Sequence, residues 1–239
     1  MSVPIFERRT LLSSYRGIGS PTFRIAAAVV LAALVFGGAI VLASGGRRVV
    51  RRGPATVLAS RRSLIVVNPI GNIRIVAGSR SAIVVRAIRL ARSEAAFGRL
   101  CSALDAGRAT IWIAEPPGRC VASAISATPS VHAILQRAST NLEITVPRGT
   151  ALKAVSTIGD VDVSGLRPPI AIATVTGDVR LALDPASGAS VGATTAAGGI
   201  EETLGISVDR GSAYGYIGNR SGVVDVSTYL GNVVLERSR

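Results

Sequence analysis

Val155-Ser156-Thr157-Ile158-Gly159-Asp160-Val161-Asp162-Val163 carries the reading of the fold. Apolar and polar residues alternate on both sides of a Gly-Asp pair, and a period of two marks strands that bury one face. Between them stands a tight turn, because glycine adopts positive φ freely and Asp or Asn tolerates it.

The phrase returns at Gly177-Asp178-Val179, Gly198-Gly199-Ile200, Gly218-Asn219-Arg220 and Gly231-Asn232-Val233, with an earlier copy at Gly71-Asn72-Ile73. From Gly159 onward the glycines are spaced by 18, 21, 20 and 13 residues. A period near 20 is what stacked coils require, because each coil buries its apolar face only against its neighbours. Second breakers fall between the corners: Gly165 with Pro168-Pro169, Asp184-Pro185 with Gly188, Gly205 and Gly222. The expected fold is therefore all-β, a parallel β-solenoid or β-roll of short coils. An antiparallel β-sandwich is the alternative, since it too shows a turn every 8 to 12 residues. The short last interval predicts an incomplete coil or a capping hairpin.

A net charge of +13 suggests nucleic acid until it is divided along the chain. Residues 1–62 carry +9, residues 63–140 carry +6 and residues 141–239 carry −2. The excess surrounds an apolar segment, where membrane topology and anionic lipid account for it. No basic stripe carries interleaved aromatics, so nucleic acid is not an expected partner.

That segment, Ile25 to Gly46, holds 22 residues without a charge between Arg24 and Arg47. As a helix it would extend about 33 Å, enough to span a bilayer and longer than the core of a cleavable signal peptide. The expected organisation is a cytoplasmic tail at 1–23, a transmembrane helix at 24–46, a basic linker at 47–62 and a β-domain at 63–239. The positive-inside rule does not orient it, because Arg8, Arg9, Arg16 and Arg24 on one side face Arg47, Arg48, Arg51 and Arg52 on the other. An extracytoplasmic domain, in the periplasm or on the cell surface, is expected from its content of small and β-branched residues.

Residues 93–140 interrupt the repeat. Ser93-Glu94-Ala95-Ala96 begins like a capped helix, with Leu100 and Leu104 at helical spacing. A strand is expected at Thr110-Ile111-Trp112-Ile113-Ala114. The insertion holds both cysteines, Cys101 and Cys120, which would close a loop of about 20 residues if bonded, worth about 3 kcal/mol; two buried thiols are the alternative. With two cysteines and one histidine, His132, no ligand spacing appears, so neither metal nor cofactor is expected.

Asn68-Pro69-Ile70-Gly71-Asn72-Ile73, then Asn141-Leu142-Glu143-Ile144-Thr145-Val146-Pro147-Arg148-Gly149, and the recurring Ser-Thr-x-Gly-Asp-Val phrase resemble a bacterial family of "putative adhesin" domains of unknown function. The resemblance covers about residues 63–92 and 138–236 and leaves out the insertion. It implies a β-helical or β-roll module behind a signal or membrane anchor, and no catalytic residues.

Several side-chain sets invite chemistry. Asp160 and Asp178 would stand about 4.8 Å apart on stacked coils, with Asn219 and Asn232 further along the edge, a spacing at which carboxylates bind calcium. Gly199 interrupts that row, and turn chemistry alone accounts for the residues. Tyr214 and Tyr216 share a strand face, with Tyr229 a coil away; they would stack on sugar rings or, more simply, close the last coil. Glu201 and Glu202 are adjacent and so point to opposite faces. No Gly-x-Ser-x-Gly elbow accompanies His132. The expectation is a non-catalytic, membrane-anchored envelope module for structural or adhesive contact, with the lipid bilayer, envelope proteins or a second copy as partners. An enzyme acting on envelope polysaccharide through Asp160, Asp162 and Asp178 is the alternative, and an envelope sensor signalling through the tail is the third.

Overall fold

The computed structural model describes residues 49–58, 62–91, 101–105, 110–114, 139–184 and 186–238. In chain order the strands begin with β1 (Val49–Arg52), β2 (Thr56–Leu58), β3 (Ser63–Ile70), β4 (Ile73–Gly78), β5 (Ile83–Ala91), β6 (Cys101–Asp105) and β7 (Thr110–Ala114). Next come β8 (Ser139–Pro147), β9 (Ala151–Ile158), β10 (Val161–Leu166), β11 (Ile170–Thr176), β12 (Val179–Leu183) and β13 (Ala189–Ala197). The last are β14 (Ile200–Glu202), β15 (Ser207–Asp209), β16 (Ser212–Ile217), β17 (Gly222–Leu230) and β18 (Val233–Arg237). All regular structure among the described residues is β.

Two mixed sheets result. The first runs β1-β5-β8-β4-β10-β12-β18-β14, with β2 also on β5, and the second runs β15-β16-β13-β17-β11-β9-β3-β7-β6. The interiors are parallel, and the antiparallel pairs lie toward the ends, β1, β2 and β8 on β5, β16 on β13, β15 on β16 and β6 on β7. Each of five glycine corners passes the chain from the second sheet to the first: β3 to β4, β9 to β10, β11 to β12, β13 to β14 and β17 to β18.

The corners do not follow one another in chain order. In space they run Gly71, Gly159, Gly177, Gly231, Gly198, because β17 and β18 lie between the coil of Gly177 and that of Gly198. The sequential stack expected from the period is thus not the arrangement. After β14 the chain folds back as the antiparallel pair β15 and β16 on the free edge of β13, turns at Gly218-Asn219, and enters the gap as β17. Gly218 is the turn of that return, which is why the final interval is short.

Side chains from both sheets meet in one core. Ile144, Ile75, Val163, Leu181 and Leu235 are register neighbours across the first sheet, and Val66, Ala154, Ile172, Val226 and Ala193 across the second. All are buried. Withdrawing a large aliphatic side chain from water contributes about 1.5–3 kcal/mol, so these rows hold the two layers together. At the far end, Leu204 and Ile206 close the core. Their loop is tied by Glu202, whose Oε2 accepts N–H groups of Leu204 at 2.6 Å, Gly205 at 2.7 Å and Ile206 at 3.3 Å.

Three local expectations change. Part of the expected basic linker is strand, since β1 and β2 pair antiparallel with β5. Leu104, expected on a helix, lies in β6, whose backbone finds its partner in β7, while β7 falls where the alternation placed a strand. The tyrosines do not close the last coil: Tyr214 and Tyr216 are 64% and 55% exposed, and Leu204, Ile206, Ala213 and Ile217 fill that place. The apolar segment at 25–46, the tail at 1–23, Ser93, Cys120 and His132 lie outside the described residues. Among those described, no helix is long and apolar enough to cross a membrane.

Candidate functional site

The five corners form one continuous edge. Their glycines have φ between +125° and +152° and lie so close that a Cβ on each would meet a carbonyl oxygen: Thr140 O for Gly71, Gly71 O for Gly159, Gly159 O for Gly177, Gly177 O for Gly231, and Gly231 O for Gly198. The residue after each glycine builds an outer ladder. Asn141 Oδ1 accepts Asn72 N–H (2.9 Å), Asn72 Oδ1 accepts Asp160 N–H (3.0 Å), and Asp160 Oδ1 accepts Asp178 N–H (2.9 Å). Asp178 Oδ1 then accepts Asn232 N–H (2.7 Å), and Asn232 Oδ1 accepts Gly199 N–H (2.9 Å).

Such a ladder needs an acceptor side chain at every position except its last. Gly199, which has none, stands at that last position, so no N–H along the row lacks its acceptor.

An inner ladder runs three residues before each glycine. Asn68, Ser156, Thr174, Thr228 and Thr195 are register neighbours on the second sheet. Thr174 Oγ1 donates to Gly159 O (3.4 Å), Thr228 Oγ1 to Gly177 O (3.1 Å) and Thr195 Oγ1 to Gly231 O (2.8 Å). Asn68 Nδ2 reaches both Gly71 O and Thr140 O at 2.8 Å, and the Ser156 hydroxyl makes no hydrogen bond. Buried polar groups that pair in this way remove a desolvation cost of about 1–3 kcal/mol each. The sequence reading missed these residues, although their fixed offset from glycine was visible in it.

The proposed chemistry of the acids changes accordingly. Asp160 and Asp178 each engage a neighbouring corner's N–H, Asp162 lies 3.8 Å from Arg74, and Glu202 holds the end loop. No group of three His, Cys, Asp or Glu side chains able to hold a metal occurs among the described residues. Asn219 is not on the edge; its Oδ1 accepts Ser221 N–H at 3.2 Å in the return turn. Tyr216 lies beneath Arg220, 4.1 Å from guanidinium carbon to ring centre. Cys101 is in β6 and Cys120 is not among the described residues, so the disulfide falls outside them.

The outer face of the first sheet is charged in alternation. Arg86, Glu143, Arg74, Asp162 and Arg180 are successive register neighbours. Arg86 and Glu143 are 3.6 Å apart and largely exposed, a pairing worth at most about 1 kcal/mol, but the alternation leaves no continuous basic stripe there.

Beside this row opens a cleft of about 660 Å³. Its floor is made of short side chains, Ala77, Ser164 and Ala182, together with Gly165. There β10 bulges between Ser164 and Leu166, with Gly165 at φ +73° and its Cβ position 3.1 Å from that of Ala77. Asp184, 5% exposed, accepts Ala186 N–H at 2.9 Å and Arg167 Nε–H at 3.1 Å. These bonds hold its carboxyl below the ordinary range, the Ala186 N–H contributing most, against the opposing effect of burial. Arg180 donates from Nε and a terminal nitrogen to Glu236 Oε1 at 3.0 and 2.8 Å.

No family model matches the chain, and no curated protein does. Among solved structures it is similar to one described as a "putative cell adhesion protein" from Clostridium sporogenes, at 9% identity, over 80% of this chain and 100% of that one, with a TM-score of 0.44.

Proposed function

We propose that the protein is a non-catalytic module of the cell envelope, anchored by the apolar segment at 25–46, whose parallel interior acts as a short β-solenoid presenting a regular surface for structural or adhesive contact. The observation that carries this reading is the use of the corner acids. Asp160 and Asp178, the carboxylates an enzyme would need, each accept a neighbouring corner's N–H and serve the edge itself. A polysaccharide-cleaving site requires a pair of carboxylates free to face one bond. Asp162 stands on the outer face, 3.8 Å from Arg74, and has no second carboxylate facing it across a bond.

In this reading the basic segments around residues 25–46 face anionic headgroups and the β-domain lies outside the cytoplasm. Two experiments test it. Protease added to intact cells is expected to digest the β-domain while sparing residues 1–23, and protection of the domain until the membrane is permeabilised overturns the placement. Crosslinking in those cells is expected to trap an envelope protein or a second copy. Turnover of any member of a polysaccharide panel by the wild type, lost in Asp160→Asn with Asp178→Asn, would establish the enzymatic alternative instead.

A further inference from the structure

We propose that the cleft on the outer face of the first sheet binds an acidic saccharide, whose carboxylate groups are taken by Arg148 and Arg237. This goes beyond the contact role above and stands independently of the membrane anchor.

The first argument is the balance of charge. Around the cleft, Arg148, Arg167, Arg180 and Arg237 stand against two carboxylates, Asp184 and Glu236. Both acids are committed, Asp184 to Arg167 and the Ala186 N–H, and Glu236 to two donors of Arg180. Arg148 reaches Asp184 only at 3.9 Å and is 67% exposed. The Arg237 side chain makes no hydrogen bond or ion pair with the described residues. Donors are in excess, so the cleft suits a ligand rich in acceptors, and the planar guanidinium fork matches a carboxylate by two parallel hydrogen bonds. The excess is local, since residues 141–239 as a whole carry −2.

The second argument is the floor. Strands β10 and β12 are paired on both sides, β10 with β4 and β12, and β12 with β10 and β18. Their backbone groups are consumed, so an extended peptide cannot be added there as another strand. What remains is a shallow bed of short side chains with the hydroxyls of Ser164 and Ser238. A sugar acid complements both the bed and its charged surround: hydroxyls that donate to and accept from those of the two serines, and an anionic group for the arginines. The volume, about 660 Å³, lies within the ordinary range for small-ligand sites. Arg180, fixed by Glu236, is a positioning residue that keeps one wall in place.

The test is calorimetric titration of the full chain in mild detergent with four probes: an oligogalacturonate, a neutral glucan of equal length, an oligoglutamate and inorganic phosphate. The oligogalacturonate is expected to bind, with affinity falling at least tenfold in Arg237→Gln and in Arg148→Gln, while Arg80→Gln, an exposed cation away from the cleft, leaves it unchanged. Because the Arg237 side chain has no partner among the described residues, its variant is expected to keep the wild-type melting temperature, which separates loss of binding from loss of fold. Absence of oligogalacturonate binding, wild-type affinity in either variant, equal binding of oligoglutamate or the neutral glucan, or binding of phosphate with no gain from the saccharide would each overturn the proposal.

Discussion

Gly231-Asn232-Val233 and Gly218-Asn219-Arg220 are nearly the same three residues, thirteen positions apart, yet they do different things. The first is a corner of the edge: Thr228 stands three residues earlier and donates to Gly177 O, Asn232 passes its oxygen to Gly199, and Val233 is buried. The second is the turn of a return, with Gly215 three residues earlier and Arg220 following at φ +59°. Gly-Asn therefore specifies a turn and nothing more. The corners share a hydroxyl or amide three residues before the glycine, which at four of the five donates to a corner carbonyl, and an aliphatic residue two after, on the core side.

The sharpest way to break that contrast is to add one methyl group at each turn. Gly231→Ala places it against Gly177 O at φ +151° and is expected to lower stability by about 3–5 kcal/mol. Gly218→Ala, at φ +53°, lies in the ordinary left-handed region with its Cβ 3.0 Å from Gly188 Cα and 3.1 Å from Ser187 O, and should lose less, about 1–2 kcal/mol. Chemical denaturation of the two variants measures the difference, and equal losses would remove the distinction.

Next in size is the outer ladder. Asp178→Ala removes the acceptor of Asn232 N–H and is expected to destabilise by about 1–2 kcal/mol, whereas Asp178→Asn keeps an oxygen in place and should stay within about 0.5 kcal/mol of wild type. A melting temperature unaltered by calcium chloride is expected alongside; a rise that Asp178→Asn abolishes would restore the cation reading. On the inner ladder, Thr228→Val leaves the Gly177 carbonyl without its hydroxyl and should lower stability by about 1 kcal/mol, while Ser156→Ala, which removes a hydroxyl with no partner, should be close to neutral.

The smallest effect lies away from both turns, at Asp184. Its carboxyl is held below the ordinary value of 3.8, so its contribution is present above the unfolded-state pKa and fades as the pH falls through the folded-state one. Arg167→Gln should therefore lower stability at neutral pH and make no difference in strong acid. A deficit of the same size at both would separate Arg167 from that carboxyl.

Strands and turns were legible because alternation and glycine are local signals. Val155 to Val163 gave two strands and a corner without any knowledge of neighbours. The order of coils was not, because nothing within a repeat states which repeat lies beside it. The missing side chain of Gly199 was visible as an interruption, but its place at the end of the ladder appears only with Asn232 lying next to it. The cleft was illegible for a similar reason: Arg148, Asp184 and Arg237 are distant in sequence and meet only when β8, β12 and β18 share a sheet. The tyrosines misled because an aromatic at the end of a chain of coils resembles a plug, and here the shorter Leu204 and Ile206 reach the core first.

The displaced final coil also bears on how the molecule is built during synthesis. The strand Ile200–Glu202 has one partner in its sheet, Val233–Arg237, which emerges from the ribosome about thirty residues later. Until that segment arrives, the whole Gly198 winding has no neighbour on the side facing the earlier coils, and a nascent chain stopped before residue 222 would present the open flank of Ile170–Leu183 to any other strand nearby. The pair β17 and β18 is a keystone: translated after the strands on both of its sides, it enters between them, and each sheet becomes continuous there only once it is in place.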